Sequence, residues 1–325
     1  MKKYIAILLV AAMATLGISA CRKENSNKET KVQKDSDIKV VTTIFPEYDW
    51  VRQIAGEEAD QMDITMLLDN GVDLHSYQPT AEDIMKVSDC DLFVYVGGES
   101  DAWVDDALKQ AKNKDMQVVD LLDVLGNSAK EEEVIEGMEP EEEEEEPEYD
   151  EHVWLSVKNA EVLSKAIADA LEKADPDHKN IYQENASAYS EKLKDPDAKY
   201  QEVVDGASQK TLLFGDRFPF RYLVDDYGLS YYAAFVGCSA ESEASFDTIS
   251  FLANKVDELG LKDIMAIENS NQKIAKTIIE NTKEKNQKIL TLDTMQSTTS
   301  DDVKNGTTYL SVMEKNLEVL KEALQ

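Results

Sequence analysis

Three histidines occur in 325 residues, few enough to weigh one by one. His75 lies in Gly71-Val72-Asp73-Leu74-His75-Ser76-Tyr77-Gln78-Pro79-Thr80, a loop after a strand-like run and before a helix start. His152 lies in Asp150-Glu151-His152-Val153-Trp154-Leu155, where a long acidic run meets a stretch of helical period. Imidazole is the commonest transition-metal ligand, and neighbouring carboxylates complete a site of borderline hardness. Two histidines at loop–helix junctions of an acidic chain therefore point to metal binding. His178 follows Pro176-Asp177 on a polar helix start and reads as a solvent-exposed first-turn residue. No His-Glu-x-x-His run or nucleophile motif occurs, so no enzymatic activity is expected.

The three cysteines divide by context. Cys21 closes Ile18-Ser19-Ala20-Cys21, after Lys2, Lys3 and the apolar run Tyr4 to Leu16. A positive start, an apolar core too short to span a bilayer and small residues before the cysteine form an export signal. The full arrangement is that of a bacterial lipobox, with residues 1–20 removed and Cys21 lipidated. Two or more acyl chains suffice for stable anchoring. Residues 21–37 are polar and read as a tether. Cys90 and Cys238 each border an apolar run and are expected to be buried thiols, with a disulfide as the alternative in an exported protein.

With 34 basic and 66 acidic residues, the net charge is −32. Such a body repels phosphate backbones, so nucleic-acid binding is excluded as an expectation. Fourteen acidic residues and no basic one fall between Glu131 and Glu151, including the unbroken Glu141, Glu142, Glu143, Glu144, Glu145 and Glu146. A run this dense repels itself and is expected to be a mobile loop, with cation collection as its function.

Around these groups, β-branched and apolar runs alternate with helical segments. Strands are expected at Ile38–Ile44, Asp63–Leu68, Asp91–Val96 and Gln117–Asp120, and again at Thr211–Phe214, Ser230–Phe235, Ile264–Glu268 and Lys288–Leu292. Val157 to Ala174 carries apolar residues at Ala160, Leu163, Ala166, Ile167, Ala170 and Leu171, the stripe of one amphipathic helix. A second helix is expected from His178 to Leu193. The fold class is therefore α/β, as two lobes with mainly parallel sheets (38–130 and 176–325), joined by a long helix at 152–175. Ligands of such architectures sit at the carboxyl ends of strands, in the cleft between lobes.

The lipobox, Val40-Val41-Thr42-Thr43-Ile44-Phe45-Pro46, the Gly71–Asp83 stretch, Asp150 to Leu155 and Tyr222 to Leu229 together resemble the substrate-binding lipoproteins of zinc and manganese ABC importers. The resemblance runs from about Ile38 to the C-terminus. It implies a rigid linking helix, a metal between the lobes, and a monomer on the extracytoplasmic face of the cell membrane that delivers its ion to an ABC permease. It also implies ligands: His75 and His152, and Asp293 directly after the last strand, although Thr294-Met295 replaces the family's Pro-Leu. At the family's third ligand position stands Arg217, which stays protonated and cannot coordinate a cation. Asp216, one residue away, is the expected substitute, with Glu243, Glu268 or a water as alternatives. The lost histidine favours manganese and the acidic loop favours zinc; zinc is the expected cargo, with Mn2+ as the alternative. A surface adhesin or metal buffer is the other reading.

Overall fold

The structure, a computed structural model, describes residues 38–139, 148–239 and 243–325. The lipobox with Cys21 and the glutamates Glu141–Glu146 lie outside the described residues. The first lobe is built from β1 (Lys39–Thr42), α1 (Phe45–Ala55), β2 (Asp63–Met66), α2 (Ala81–Asp89), β3 (Leu92–Tyr95), α3 (Val104–Lys109), β4 (Gln117–Asp120) and α4 (Leu121–Leu125). Its sheet has the order β2-β1-β3-β4 with every pair parallel. Short runs such as Leu92-Phe93-Val94 are buried on both faces, the pattern of parallel sheets covered by helices.

Two helices follow: α5 (Val157–Ala174) and α6 (Lys179–Gly206). The second lobe then runs β5 (Thr211–Phe218), α7 (Arg221–Tyr227), β6 (Ser230–Val236), α8 (Phe246–Leu259), β7 (Asp263–Ile267), α9 (Lys273–Asn281), β8 (Lys288–Leu292), α10 (Ser300–Lys304) and α11 (Tyr309–Ala323). Its sheet, β6-β5-β7-β8, is again parallel throughout.

The helix expected at Val157–Ala174 forms there, but it is not the link. It packs on β3, β4, α1 and α4 of the first lobe. The span between lobes belongs to α6, 28 residues or about 42 Å at 1.5 Å per residue. Its early part receives α1, where Asn185 Nδ2 donates to the Ile54 carbonyl at 2.9 Å. Its later part holds α11, where Tyr200 Oη donates to the Met313 carbonyl at 2.7 Å. One apolar cluster continues from Val40 and Phe93 through Leu163 and Tyr200 to Phe214 and Met313. Because that core is shared, the lobes form one packed body. Among the described residues no helix is long and apolar enough to cross a membrane.

Candidate metal centre

Both histidines sit on short turns fixed by their own neighbours. After β2, Asp73 accepts the backbone N–H of His75 at 3.0 Å and caps the turn Leu74–Ser76. Before α5, Asp150 accepts the backbone N–H of His152 at 2.9 Å. The same Asp150 oxygen is 3.1 Å from His152 Nδ1. His75 Nδ1 lies 2.9 Å from Ser100 Oγ and 3.4 Å from Glu151 Oε2. A carboxylate beside each Nδ1 favours the Nδ1–H tautomer, which turns the Nε2 lone pairs toward the space the two rings share. Those two Nε2 atoms face each other at 3.1 Å. Two nitrogens on a tetrahedral zinc at 2.0–2.1 Å would stand about 3.3 Å apart.

The third group beside the two rings is Cys238. Its Sγ and one ring nitrogen of each of His75 and His152 all lie within 4.8 Å of one another, the one group of three or more potential ligands found among the described residues. Cys238 follows β6 by two residues, at the carboxyl end of a strand. It is a free thiol, as is Cys90. Cys90 is buried, with its S–H toward the Val87 carbonyl, as expected. Cys238 departs from the inert reading because the end of β6 delivers it to the histidines.

The expected carboxylate ligands are held elsewhere. The strand expected to end at Phe214 continues to Phe218, with a register shift between Phe214 and Arg217. A bulge of this kind re-aims side chains. Asp216 consequently accepts N–H groups of Arg217 at 3.0 Å and Ile267 at 3.5 Å. Asp293 folds back on the N–H of Met295 at 2.8 Å, while Asn316 grips its backbone from both sides. Glu268 takes the N–H and hydroxyl of Thr294. Glu243 is exposed and paired with Lys273 at 2.7 Å. None of the four joins the histidine–cysteine group. His178 is partly exposed and paired with Asp175 at 2.7 Å.

Arg217 crosses the cleft instead, donating to Asp73 at 2.6 Å from the opposite lobe and to the Ser239 carbonyl at 3.4 Å. Gln296, unmarked by the sequence reading, bridges the same gap. Its Oε1 accepts the Leu74 N–H at 3.3 Å and its Nε2 lies 3.3 Å from His152 Nε2.

The acidic run is not free along its length. Glu131 pairs with Tyr149 in an antiparallel bridge, and backbone bonds link Glu132 with Glu148 and Asp150 with Lys130, each at 2.8 Å. Glu139 N–H reaches the Ala234 carbonyl at 3.0 Å, and Met138 is buried. Three of the acids serve the centre itself: Asp150 and Glu151 orient the rings, and Glu132 Oε1 accepts the Cys238 N–H at 3.0 Å.

Burial sets the electrostatics. It pushes His152 well below the ordinary imidazole range, with His75 adding to the shift, so the ring is neutral. It pushes the Cys238 thiol well above its ordinary value, helped by the charges of Glu132, Asp150 and Glu151. Burial also raises Asp150 to about 7. Glu151 goes the other way: burial works to raise it, but bonds and charge from His75 and bonds from Ser100 outweigh that and hold it low. Asp73 is likewise held low, Arg217 overcoming its burial.

Backbone closeness is a further requirement. A Cβ on Gly237 would stand 3.0 Å from His152 Cε1, His152 Nδ1 and the Phe218 carbonyl. Gly237→Ala must therefore displace the ring from Asp150. Lost support of this kind typically costs about 10–100-fold in metal affinity. Titration of the variant with zinc checks that outcome, with circular dichroism confirming an intact fold.

The family model described as zinc-uptake complex component A, periplasmic, matches residues 40–323. The zinc-binding lipoprotein AdcA of Streptococcus pneumoniae (strain R6) is 34% identical over 319 residues, covering 97% of this chain and 60% of that protein. This chain thus spans only about 60% of that relative's length. The high-affinity zinc uptake system protein ZnuA of Bacillus subtilis (strain 168) is 31% identical over 330 residues, covering 99% of this chain and 98% of the relative. Among solved structures, the Zn(II)-bound ZnuA-like domain of S. pneumoniae AdcA aligns with a TM-score of 0.69 at 31% identity, covering 89% of this chain and 99% of that one. The metal-dependent lipoprotein YcdH of B. subtilis aligns with a TM-score of 0.71 at 29% identity, covering 89% and 99%. With two parallel lobes, a shared cleft and a match across nearly all the described residues, the chain belongs to the family of zinc-uptake complex component A.

Proposed function

We propose that the chain is a lipid-anchored, monomeric, extracytoplasmic binding protein that captures zinc and hands it to the permease of an ABC importer. The observation that carries this reading is the convergence of ring nitrogens of His75 and His152 with Cys238 Sγ within 4.8 Å. The ligands in this reading are His75, His152 and Cys238, in place of Asp216 and Asp293. Anchoring rests on Cys21 of the lipobox, and the glutamates Glu141–Glu146 serve as cation collectors. The relatives named for zinc binding and zinc uptake support the choice of cargo. Donor chemistry supports it too: a thiolate beside two imidazoles suits zinc, whereas manganese prefers oxygen donors. The cycle is capture and release, with no catalytic step.

Calorimetric titration with zinc and manganese tests the reading. Zinc should bind one to one, and manganese at least about 100-fold more weakly. Because burial holds the Cys238 thiol protonated at neutral pH, zinc must displace its proton. The heat should vary between buffers as one released proton requires, and affinity should rise about tenfold per pH unit through the neutral range. Acid therefore weakens capture through the thiol, since His152 stays neutral. Manganese binding as tight as zinc, or zinc binding without proton release, would sink the thiolate site.

A further inference from the structure

We infer that Arg217 is a positioning residue for zinc capture: its guanidinium ties the His75 turn of the first lobe to the Cys238 segment of the second, and breaking that tie sets the pace of release. This rests on the metal-capture reading. The groups of the centre come from both lobes. His75 stands on the Leu74–Ser76 turn after β2, and Cys238 stands two residues past β6. An ion held between them stays only while the two segments stay together.

Arg217 Nη2 donates to Asp73 Oδ2 at 2.6 Å, and the other oxygen of Asp73 accepts the His75 N–H at 3.0 Å. One carboxylate therefore passes the hold of the arginine to the His75 backbone. On the other side, Arg217 Nη1 donates at 3.4 Å to the carbonyl of Ser239, the residue directly after Cys238. The strand ladder gives the firmer grip there, since Arg217 stands in register with Phe235 of β6, three residues before the thiol. Both side chains of the ion pair are mostly covered, at 19% and 25% exposure. Charge-assisted bonds are about twice as strong as neutral ones, and partial cover spares the pair much of the screening that weakens exposed pairs. A second bond across the cleft to the same turn, from the Leu74 N–H to Gln296 Oε1 at 3.3 Å, is longer and neutral. It keeps the turn seated when the ion pair is cut.

The charges make the tie separable from plain electrostatics. Arg217 is a cation beside a cation site, and its charge helps to push His152 down. Asp73 balances it, with Oδ1 4.0 Å from His75 Nε2. Removing the guanidinium leaves that carboxylate unpaired, which by charge alone holds a divalent ion more firmly. Removing the tie loosens the ion. The two effects have opposite signs for one substitution. The arginine at the family's third ligand position thus holds the centre together without coordinating the ion.

Stopped-flow release of zinc from the loaded chain tests this, at EDTA concentrations where the rate no longer depends on EDTA. The parent, Arg217→Gln, Asp73→Asn and the double variant are compared. Asparagine keeps an oxygen for the His75 N–H, so the turn keeps its cap. Release should quicken about tenfold in Arg217→Gln, equivalent to about 1.4 kcal/mol. It should quicken about as much in Asp73→Asn and no further in the double variant, because all three lose the same bond. Release that is slowed or unchanged in Arg217→Gln overturns the tie, even where the melting point of the metal-free variant falls. Single effects that multiply in the double variant overturn it too. If Arg217→Gln does not fold, Asp73→Asn decides, and release at the parent rate overturns the tie. In each of these cases zinc uptake by the parent leaves the capture reading standing. A parent chain that takes up no zinc overturns both.

Discussion

Cys238→Ala should weaken zinc binding by two to three orders of magnitude while leaving the fold intact. Zinc sites built from four protein ligands bind with roughly 10–16 kcal/mol, so one ligand is worth about 2.5–4 kcal/mol. The thiol, two residues past β6, meets the Glu151 backbone and the Glu132 carboxyl, and the Cys238 N–H donates to Glu132 Oε1 at 3.0 Å. That bond survives truncation of the side chain, so the loss reports the sulfur rather than a displaced loop. Proton release on zinc binding should vanish in the same variant. His75→Ala should match it in affinity. Asp293→Ala and Glu243→Ala, whose carboxylates are held by Met295 and Lys273, should leave affinity near that of the parent. A Cys238→Ala chain that binds zinc like the parent would reassign the centre to a carboxylate.

The second large effect concerns the metal-free protein, which should be most stable in mild acid. Burial raises Asp49 to about 6, and Asp101, Asp150 and Glu268 each to about 7. Glu47, fully buried against Thr43 with Asp101 nearby, is also raised well above its ordinary value. A carboxyl raised on folding binds more protons folded than unfolded. Its stabilising contribution is complete below the unfolded value near 4 and is lost as pH climbs through the folded value. A rise from 3.8 to about 7 at Asp101 alone corresponds to about 4 kcal/mol at 1.36 kcal/mol per pH unit. Glu151 and Asp73, held low, and neutral His152 act in the opposite sense, leaving a net loss of several kcal/mol. The EDTA-treated chain should thus melt about 10 °C lower at pH 8 than at pH 5, at about 2 °C per kcal/mol for a chain of this size. Self-repulsion from a net charge of −32 acts in the same direction. A thermal scan series shows this directly, and a melting point that climbs steadily from pH 5 to pH 8 would refute it. Zinc, which binds more tightly at higher pH, should narrow the difference.

Much of the architecture was legible because parallel strands buried on both faces leave short, unbroken apolar runs such as Leu92-Phe93-Val94 and Ile264-Met265-Ala266. Helix ends were harder. Asp195-Pro196-Asp197 reads as a stop, yet α6 passes through it with Pro196 buried inside the helix. Tertiary partners override the local signal: Tyr227 Oη donates to Asp197 at 3.0 Å, and Tyr200 is tied to α11. At the centre, the histidines were legible because each stands in a distinctive local string. Cys238 was not, because its role depends on where β6 ends relative to a residue 86 positions earlier. The register shift that turns Asp216 toward Ile267 is equally invisible in a run that reads as a plain strand end. Its one available signal was position, since a thiol at the carboxyl end of a parallel strand stands where such folds bind ligands.

The stem formed by Lys130 to Glu132 and Glu148 to Asp150 has a consequence for how this protein can vary. Its backbone bonds clamp the chain immediately before Asp150-Glu151-His152, the tripeptide that supplies one donor and the orienting carboxylates for both rings. An insertion between residues 139 and 148 therefore enters outside the clamp, not between the clamp and the centre. Lengthening a loop closed by such a clamp costs only about 0.6 kcal/mol per doubling. That makes this interval a permissive graft point for a tag, an affinity segment or a reporter, whereas a single residue inserted inside the clamp would shift both imidazoles at once.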